Sequence, residues 1–178
     1  MKFLKNLFIG IVILAIVLVV VGFFLPKDVH VERSITIDAA PDTVFQQVNT
    51  FSEYNSWSPW FQRDPEAEYN YSGPDSGVGA MMSWKSDNPQ VGNGSQKIVE
   101  STYPKFVKTE LLFGDDPEPG YATFELEELA PRQTKLTWSF DVDFGNNIIG
   151  RYFGLFMDNM LGPDYEKGLK SLKAKIES

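Results

Sequence analysis

The alternation of apolar and polar positions divides the chain into three kinds of stretch. Residues 7–25 form nineteen consecutive positions without a charge, interrupted only by the small residues Gly10, Ala15 and Gly22. At 1.5 Å per residue a helix of that length covers about 28 Å, matching a bilayer hydrocarbon core. Next, Val29, Val31, Arg33, Ile35 and Ile37 alternate with polar residues, the mark of a half-buried strand. Pro41 is placed to open a helix with Val44, Phe45 and Val48 on its apolar face, and a second short helix is predicted from Phe51 to about Trp57. Trp57-Ser58-Pro59-Trp60-Phe61 then reads as an aromatic cluster on a proline turn. Six further strands are predicted near 68–71, 79–86, 95–103, 106–113, 121–129 and 134–143, separated by glycine- and proline-rich breaks. Alternation is clearest in Ala122, Phe124, Leu126 and in Leu136, Trp138, Phe140, Val142, with Thr123, Glu125, Glu127 and Thr137, Ser139, Asp141 predicted to face water. One apolar and one wet face describe an antiparallel sheet covered on a single side.

The last stretch, 146–178, has helical spacing. Tyr165, Leu169, Leu172 and Ile176 fall on one stripe, opposite Glu166, Lys167, Lys170, Lys173, Lys175 and Glu177. Its first half is apolar nearly all round (Ile149, Tyr152, Phe153, Leu155, Phe156, Met157, Met160), which predicts enclosure by other structure. Gly162-Pro163 predicts a kink, or two helices end to end with Pro163 opening the second, because proline lacks the ladder N–H and crowds the preceding turn. The fold class is α+β: one apolar helix, a strand, two short helices, six strands and a long C-terminal helix.

Charge changes the picture at both ends. The chain has 16 basic and 24 acidic residues, and Lys2 and Lys5 precede the apolar run, so the remainder holds 14 basic against 24 acidic, a net of −10. An acidic body argues against a nucleic-acid partner, whose phosphates require basic patches. There is no cysteine, which excludes disulfides and thiolate sites. The apolar run exceeds a signal peptide's ~7–15 residues and lacks a small-residue cleavage site beyond it, so residues 1–26 read as an uncleaved transmembrane signal anchor, with cleavage as the alternative. Lys2 and Lys5 keep the N-terminus in the cytoplasm by the positive-inside rule and export residues 27–178, although Lys27 and Arg33 beyond the run weaken the bias. That places the chain as a single-pass protein of a bacterial inner membrane with a periplasmic or extracellular domain.

Several local patterns resemble the START-like (SRPBCC) superfamily, and within it the polyketide cyclase/dehydrase-like and lipid-transport-like proteins. They are Arg33-Ser34-Ile35 followed by Ala40-Pro41, Trp57-Ser58-Pro59-Trp60, Gly77-Val78-Gly79-Ala80 leading into Trp84, Gly94, the strand Thr134-Lys135-Leu136-Thr137-Trp138, and Lys167-Gly168-Leu169 with Leu172. The likeness covers residues 29–178. It implies a helix-grip: a curved antiparallel sheet of about seven strands closing on the C-terminal helix, with an apolar cavity between them. In such an arrangement Met82, Trp84, Leu111, Phe113, Phe124, Trp138 and Phe140 from the sheet face Phe153, Met157 and Met160 from the helix, with Trp57 and Trp60 near the mouth. These twelve are the candidate ligand-binding residues, an aromatic and thioether lining suited to an apolar ligand.

Catalytic constellations are sparse. His30 is the only histidine and directly follows the apolar run, which suits a surface position better than a Ser-His-Asp triad. Glu100 and Glu110 lie in strands of poor alternation; either becomes a candidate base if it points inward. Asp115, Asp116 and Glu118, and separately Asp141 and Asp143, lack the spacing of a calcium loop, and Gly77-Val78-Gly79 lacks the third glycine of a dinucleotide fingerprint. No cofactor, metal or catalytic residue is therefore assigned. The sequence points to binding of a hydrophobic small molecule or lipid by a domain attached to the membrane through residues 7–25. A cyclase- or hydrolase-like enzyme on the same fold and a protein-interaction module with a filled core are the alternatives.

Overall fold

The computed structural model describes residues 2–114 and 118–178; the acidic turn at Asp115 and Asp116 lies outside them. Helix α1 (Lys2–Phe24) is almost entirely exposed and is, among the described residues, the one helix long and apolar enough to cross a membrane, a property that anchors and signal sequences share. Strand β1 (Asp28–Ile37) follows, then three short helices, α2 (Pro41–Val48), α3 (Phe51–Asn55) and α4 (Pro59–Arg63). Two were expected. The Ser58-Pro59 turn is itself a helix start, with Pro59 in the first turn, where its missing N–H is no loss.

Strands β2 (Glu68–Ser72), β3 (Met81–Lys85), β4 (Asn93–Thr102), β5 (Phe106–Phe113), β6 (Gly120–Ala130) and β7 (Gln133–Asp143) complete one curved antiparallel sheet of seven strands. Its order is β1-β7-β6-β5-β4-β3-β2. The first strand closes onto the last, Asp28 opposite Asp143 and Ile37 opposite Thr134, while every other neighbour is a sequential hairpin. Register shifts at Ile98/Glu100 and Glu128/Ala130 are bulges that add local twist.

Leu136, Trp138 and Phe140 are buried, as their alternation predicts, with Ala122, Phe124 and Leu126 beside them. Thr123 and Ser139, expected to face water, are buried too. They stand opposite each other within the sheet, in register with Lys108 and Glu32 on the flanking strands.

The C-terminal segment departs from expectation in two ways. It breaks at Leu155-Phe156, between α5 (Ile148–Gly154) and α6 (Met157–Glu177), and Pro163 lies inside α6 without ending it. At the break the N–H groups of Leu155 and Phe156 bond Tyr152 and Phe153, a tightened last turn. Around Pro163 tertiary contacts hold the helix: Gly162 lies against the Arg33 guanidinium, and Tyr165 stacks on Trp138 at 3.9 Å. The nearly all-apolar first half is not enclosed. Ile149, Phe153, Leu155, Phe156 and Met160 are all exposed, Ile149 to 83%.

Helix α6 lies on the concave face through Tyr165, Gly168, Leu169 and Leu172. A Cβ on Gly168 would stand 2.9 Å from the Trp138 ring and 3.1 Å from Pro59, so the glycine sets how closely the helix approaches. Arg33 ties β1 to α6 from outside, bonding Asp158 at 2.8 Å and Glu166 at 3.2 Å.

Candidate functional site

Beside that packed region an internal cavity of about 110 Å³ opens between the sheet, α3–α4 and α6. Its wall is built by strands whose inward residues are large and whose neighbours are glycine. Trp84 lies across Gly94, its registered partner on β4, where a Cβ would stand 2.6 Å from the ring, and its indole N–H donates to Val91 at 3.2 Å. Phe140 lies likewise against Gly120, where a Cβ would collide with the ring.

Six of the twelve candidate residues border the cavity: Trp60, Met82, Trp84, Leu111, Phe113 and Phe140. Trp57, Phe124 and Trp138 do not. They fill the adjacent core as one aromatic cluster, with ring centroids 5.5 Å apart for Trp57 and Trp138 and 5.1 Å for Phe124 and Trp138. Met157 is buried outside the cavity wall, while Phe153 and Met160 are exposed on the surface. The structure adds Tyr54, Asn55, Ser58, Phe61, Tyr69, Val91, Gln96, Leu161 and Tyr165 to the wall. Tyr54 and Asn55 lie on a helix too short to show periodicity, Ser58 on the turn before α4, and Gln96 occupies an inward strand position that a polar residue disguises. Tyr165 was legible as part of the α6 stripe.

Among the described residues, no Asp, Glu, Lys, Arg or His lines the cavity. Polarity comes from amides and phenols. Burial pushes the Tyr54 and Tyr165 hydroxyls well above the ordinary 10.0, against a weaker opposite effect of Ser58 on Tyr54, and burial also raises Tyr69. All three are neutral hydrogen-bonding groups at physiological pH. Asn55 donates to the Tyr71 hydroxyl at 2.7 Å and approaches the Met82 sulfur at 3.2 Å, so its orientation is fixed. Gln96 is 6% exposed, borders the cavity and makes no side-chain hydrogen bond among the described residues. Its amide is not sealed off as the Trp138 indole N–H is, and it meets the open space of the cavity. Arg63 and Asp164 form a partly buried two-point ion pair that ties α4 to α6.

The other candidate groups lie elsewhere. Glu100 is exposed, and Glu110 faces away from buried Thr109, in register with Lys97 and Tyr121. His30 is on the outer surface, bonded to Asp141 at 2.7 Å, a contact that raises its pKa above the usual 6.5. Asp143 bonds Lys27 at 2.6 Å and the Gly145 N–H at 2.7 Å. Among the described residues no cluster of His, Asp or Glu is disposed to hold a metal ion.

Solved structures with the same architecture include a START superfamily protein from Mycobacterium smegmatis, 18% identical, with a TM-score of 0.61 over 84% of this chain and 97% of that one. The protein XoxI from Bacillus cereus is 16% identical, with a TM-score of 0.59 over 84% and 96%. A protein from Chromobacterium violaceum is 15% identical, with a TM-score of 0.55 over 84% and 97%. At such identities the likeness is one of fold. No curated protein matched the sequence. The family described as polyketide cyclase / dehydrase and lipid transport matches residues 28–177, all of the chain but α1 and the link after it. With a seven-stranded sheet closed on a C-terminal helix in a START-like fold beneath that match, the chain belongs to the polyketide cyclase/dehydrase and lipid-transport family.

Proposed function

We propose that residues 27–178 bind a hydrophobic small molecule or part of a lipid in the cavity between sheet and α6, and that residues 1–26 hold this domain on the extracytoplasmic side of a bacterial inner membrane. The observation that carries the reading is an apolar cavity with no charged side chain among the described residues, onto which the inward-facing Gln96 amide opens as a polar handle. Volume limits the guest. An apolar cavity of about 150 Å³ holds a benzene ring, whereas pockets for drug-sized ligands run to ~300–1,000 Å³. The 110 Å³ here suits a small ring or the end of an acyl chain, with the remainder of the ligand leading out past Phe113, itself 48% exposed.

The test is native mass spectrometry of the full chain, purified in detergent and incubated with lipids extracted from its host membrane. Wild type is expected to retain a discrete mass that a cavity-filling Leu161→Trp variant of equal melting temperature releases. Repeated emptiness of the wild type overturns the reading. The small volume favours, as second reading, an interaction module with a filled core; on that reading neither protein retains a ligand. The enzymatic reading requires an acid/base pair in the cavity, and the neutral phenols and amides of this lining give it no support.

A further inference from the structure

Helix α5 is held against the end of α1. Tyr152 donates its hydroxyl to the Leu18 carbonyl at 2.7 Å, and a Cβ on Gly22 would stand 3.0 Å from the Tyr152 ring and collide with Ile148. Arg151, 9% exposed, donates to the carbonyls of Phe23 at 2.8 Å and Leu25 at 3.3 Å, capping the end of α1, and its other nitrogens bond Gly145. Leu18 lies seven residues before the end of the uncharged run, about 10 Å along the helix axis. Where α1 crosses a bilayer, the Tyr152 hydroxyl is therefore below the headgroup level of the leaflet that α1 leaves, and α5 cannot stand clear of it.

The side chains that α5 and the start of α6 leave uncovered suit that position. Ile149, Phe153, Leu155, Phe156 and Met160 are between 46% and 83% exposed, large apolar groups gathered on one short corner. Arg151 is occupied by the α1 carbonyls, and the neighbouring charges are paired: Lys27 with Asp143, and Asp158 with Arg33. An exposed apolar patch rimmed by paired charges marks an interaction surface, and its continuity with α1 selects the occupant.

We propose that the α5–α6 corner is embedded in the leaflet from which α1 emerges, its apolar side chains entering the boundary between headgroups and acyl chains as those of interfacial helices do. This rests on the reading of α1 as a membrane span and deepens the functional proposal, because the cavity lies at the same end of the sheet. The register sets the ends of β1 and β7 at Asp28 and Asp143 beside the starts of β6, β4 and β2 and the ends of β5 and β3. Phe140, Phe113, Trp84, Gln96 and Tyr69 all come from that half of the strands. A ligand leaving the embedded leaflet thus has a short apolar path to the cavity.

The chain has no cysteine, so single-cysteine variants of the full chain report one site each. Phe153→Cys, Phe156→Cys and Met160→Cys, with Ile13→Cys in α1 and Lys170→Cys on the polar face of α6, are labelled with an environment-sensitive fluorophore. They are reconstituted in phosphatidylethanolamine/phosphatidylglycerol vesicles doped with phosphatidylcholine spin-labelled at shallow or deep acyl positions. Shallow quenchers are expected to quench positions 153, 156 and 160 several-fold more than 170, and deep quenchers to act on 13. Quenching at 13 with the corner as accessible as 170 overturns this inference and leaves the anchor standing; no quenching at 13 overturns both. Protection of the corner that follows protein-to-lipid ratio instead of quencher assigns the patch to a second copy, and also overturns it.

Discussion

Trp138 touches more of the aromatic core than any single helix could. It stacks on Tyr165 at 3.9 Å and meets the rings of Phe124, Trp57, Trp60 and Tyr54 within 6.0 Å, at 1% exposure. Trp138→Ala is expected to destabilise the protein by about 3–5 kcal/mol in urea denaturation, as large aromatic truncations do. Its indole N–H is buried without a partner. An orphaned donor costs about 1–3 kcal/mol, so Trp138→Phe, which removes it, is expected to cost far less than Ala despite the lost volume. Equal losses for the two variants would show that the N–H is satisfied. At the surface, His30 has its pKa raised, first by the hydrogen bond it donates to Asp141. Its contribution is complete below pH 6.5 and is lost as pH rises through the higher folded value. His30→Gln is expected to flatten a slight fall of stability on that alkaline side in melts across the range; solvent exposure keeps the effect small.

Among the elements, α6 makes the sharpest predictions, because two of its residues conflict with simple rules. Pro163 lies inside the helix and is exposed. An interior proline is ~3 kcal/mol worse than alanine, and the freer unfolded chain returns ~0.4–1 kcal/mol of that. Pro163→Ala is thus expected to stabilise the protein by about 2 kcal/mol in chemical denaturation, and no gain would mean that the bend proline imposes fits the sheet. Gly168→Leu is expected to lose about 1–3 kcal/mol or more by overpacking against Trp138 and Pro59. An unchanged melt would show that the helix can lift off. Strands were legible wherever Leu136, Trp138 and Phe140 could alternate with polar residues. The helix break was not. The sequence marks Gly162-Pro163, but contacts to Arg33 and Trp138 outweigh that local preference, and the turn forms at Leu155-Phe156. The lining of the cavity was half legible for the same reason. Phe140 follows strand alternation, whereas Gln96 reads as a wet position, and Phe153 and Met160 read as interior because an apolar run does not say whether protein or another apolar medium surrounds it.

For the whole molecule, that ambiguity joins the two ends of the chain. The apolar N-terminal run and the apolar start of the C-terminal segment looked like separate features, a span and a core helix, yet they are packed together through Gly22, Ile148 and Tyr152. Gly22→Leu is expected to force them apart. In the labelled vesicles Phe156 would then lose its quenching while Ile13 keeps it, and the melt of the sheet would hold. Only Leu25, Pro26 and Lys27 separate α1 from β1, and Arg151 already bridges part of that gap. A link so short leaves no slack. If α1 spans a bilayer and the cavity takes a ligand, as proposed, the domain cannot swing away to meet a distant membrane, as a ferry would; it is then a fixed berth at which cargo must arrive and depart, and any long-range traffic needs a second, mobile carrier.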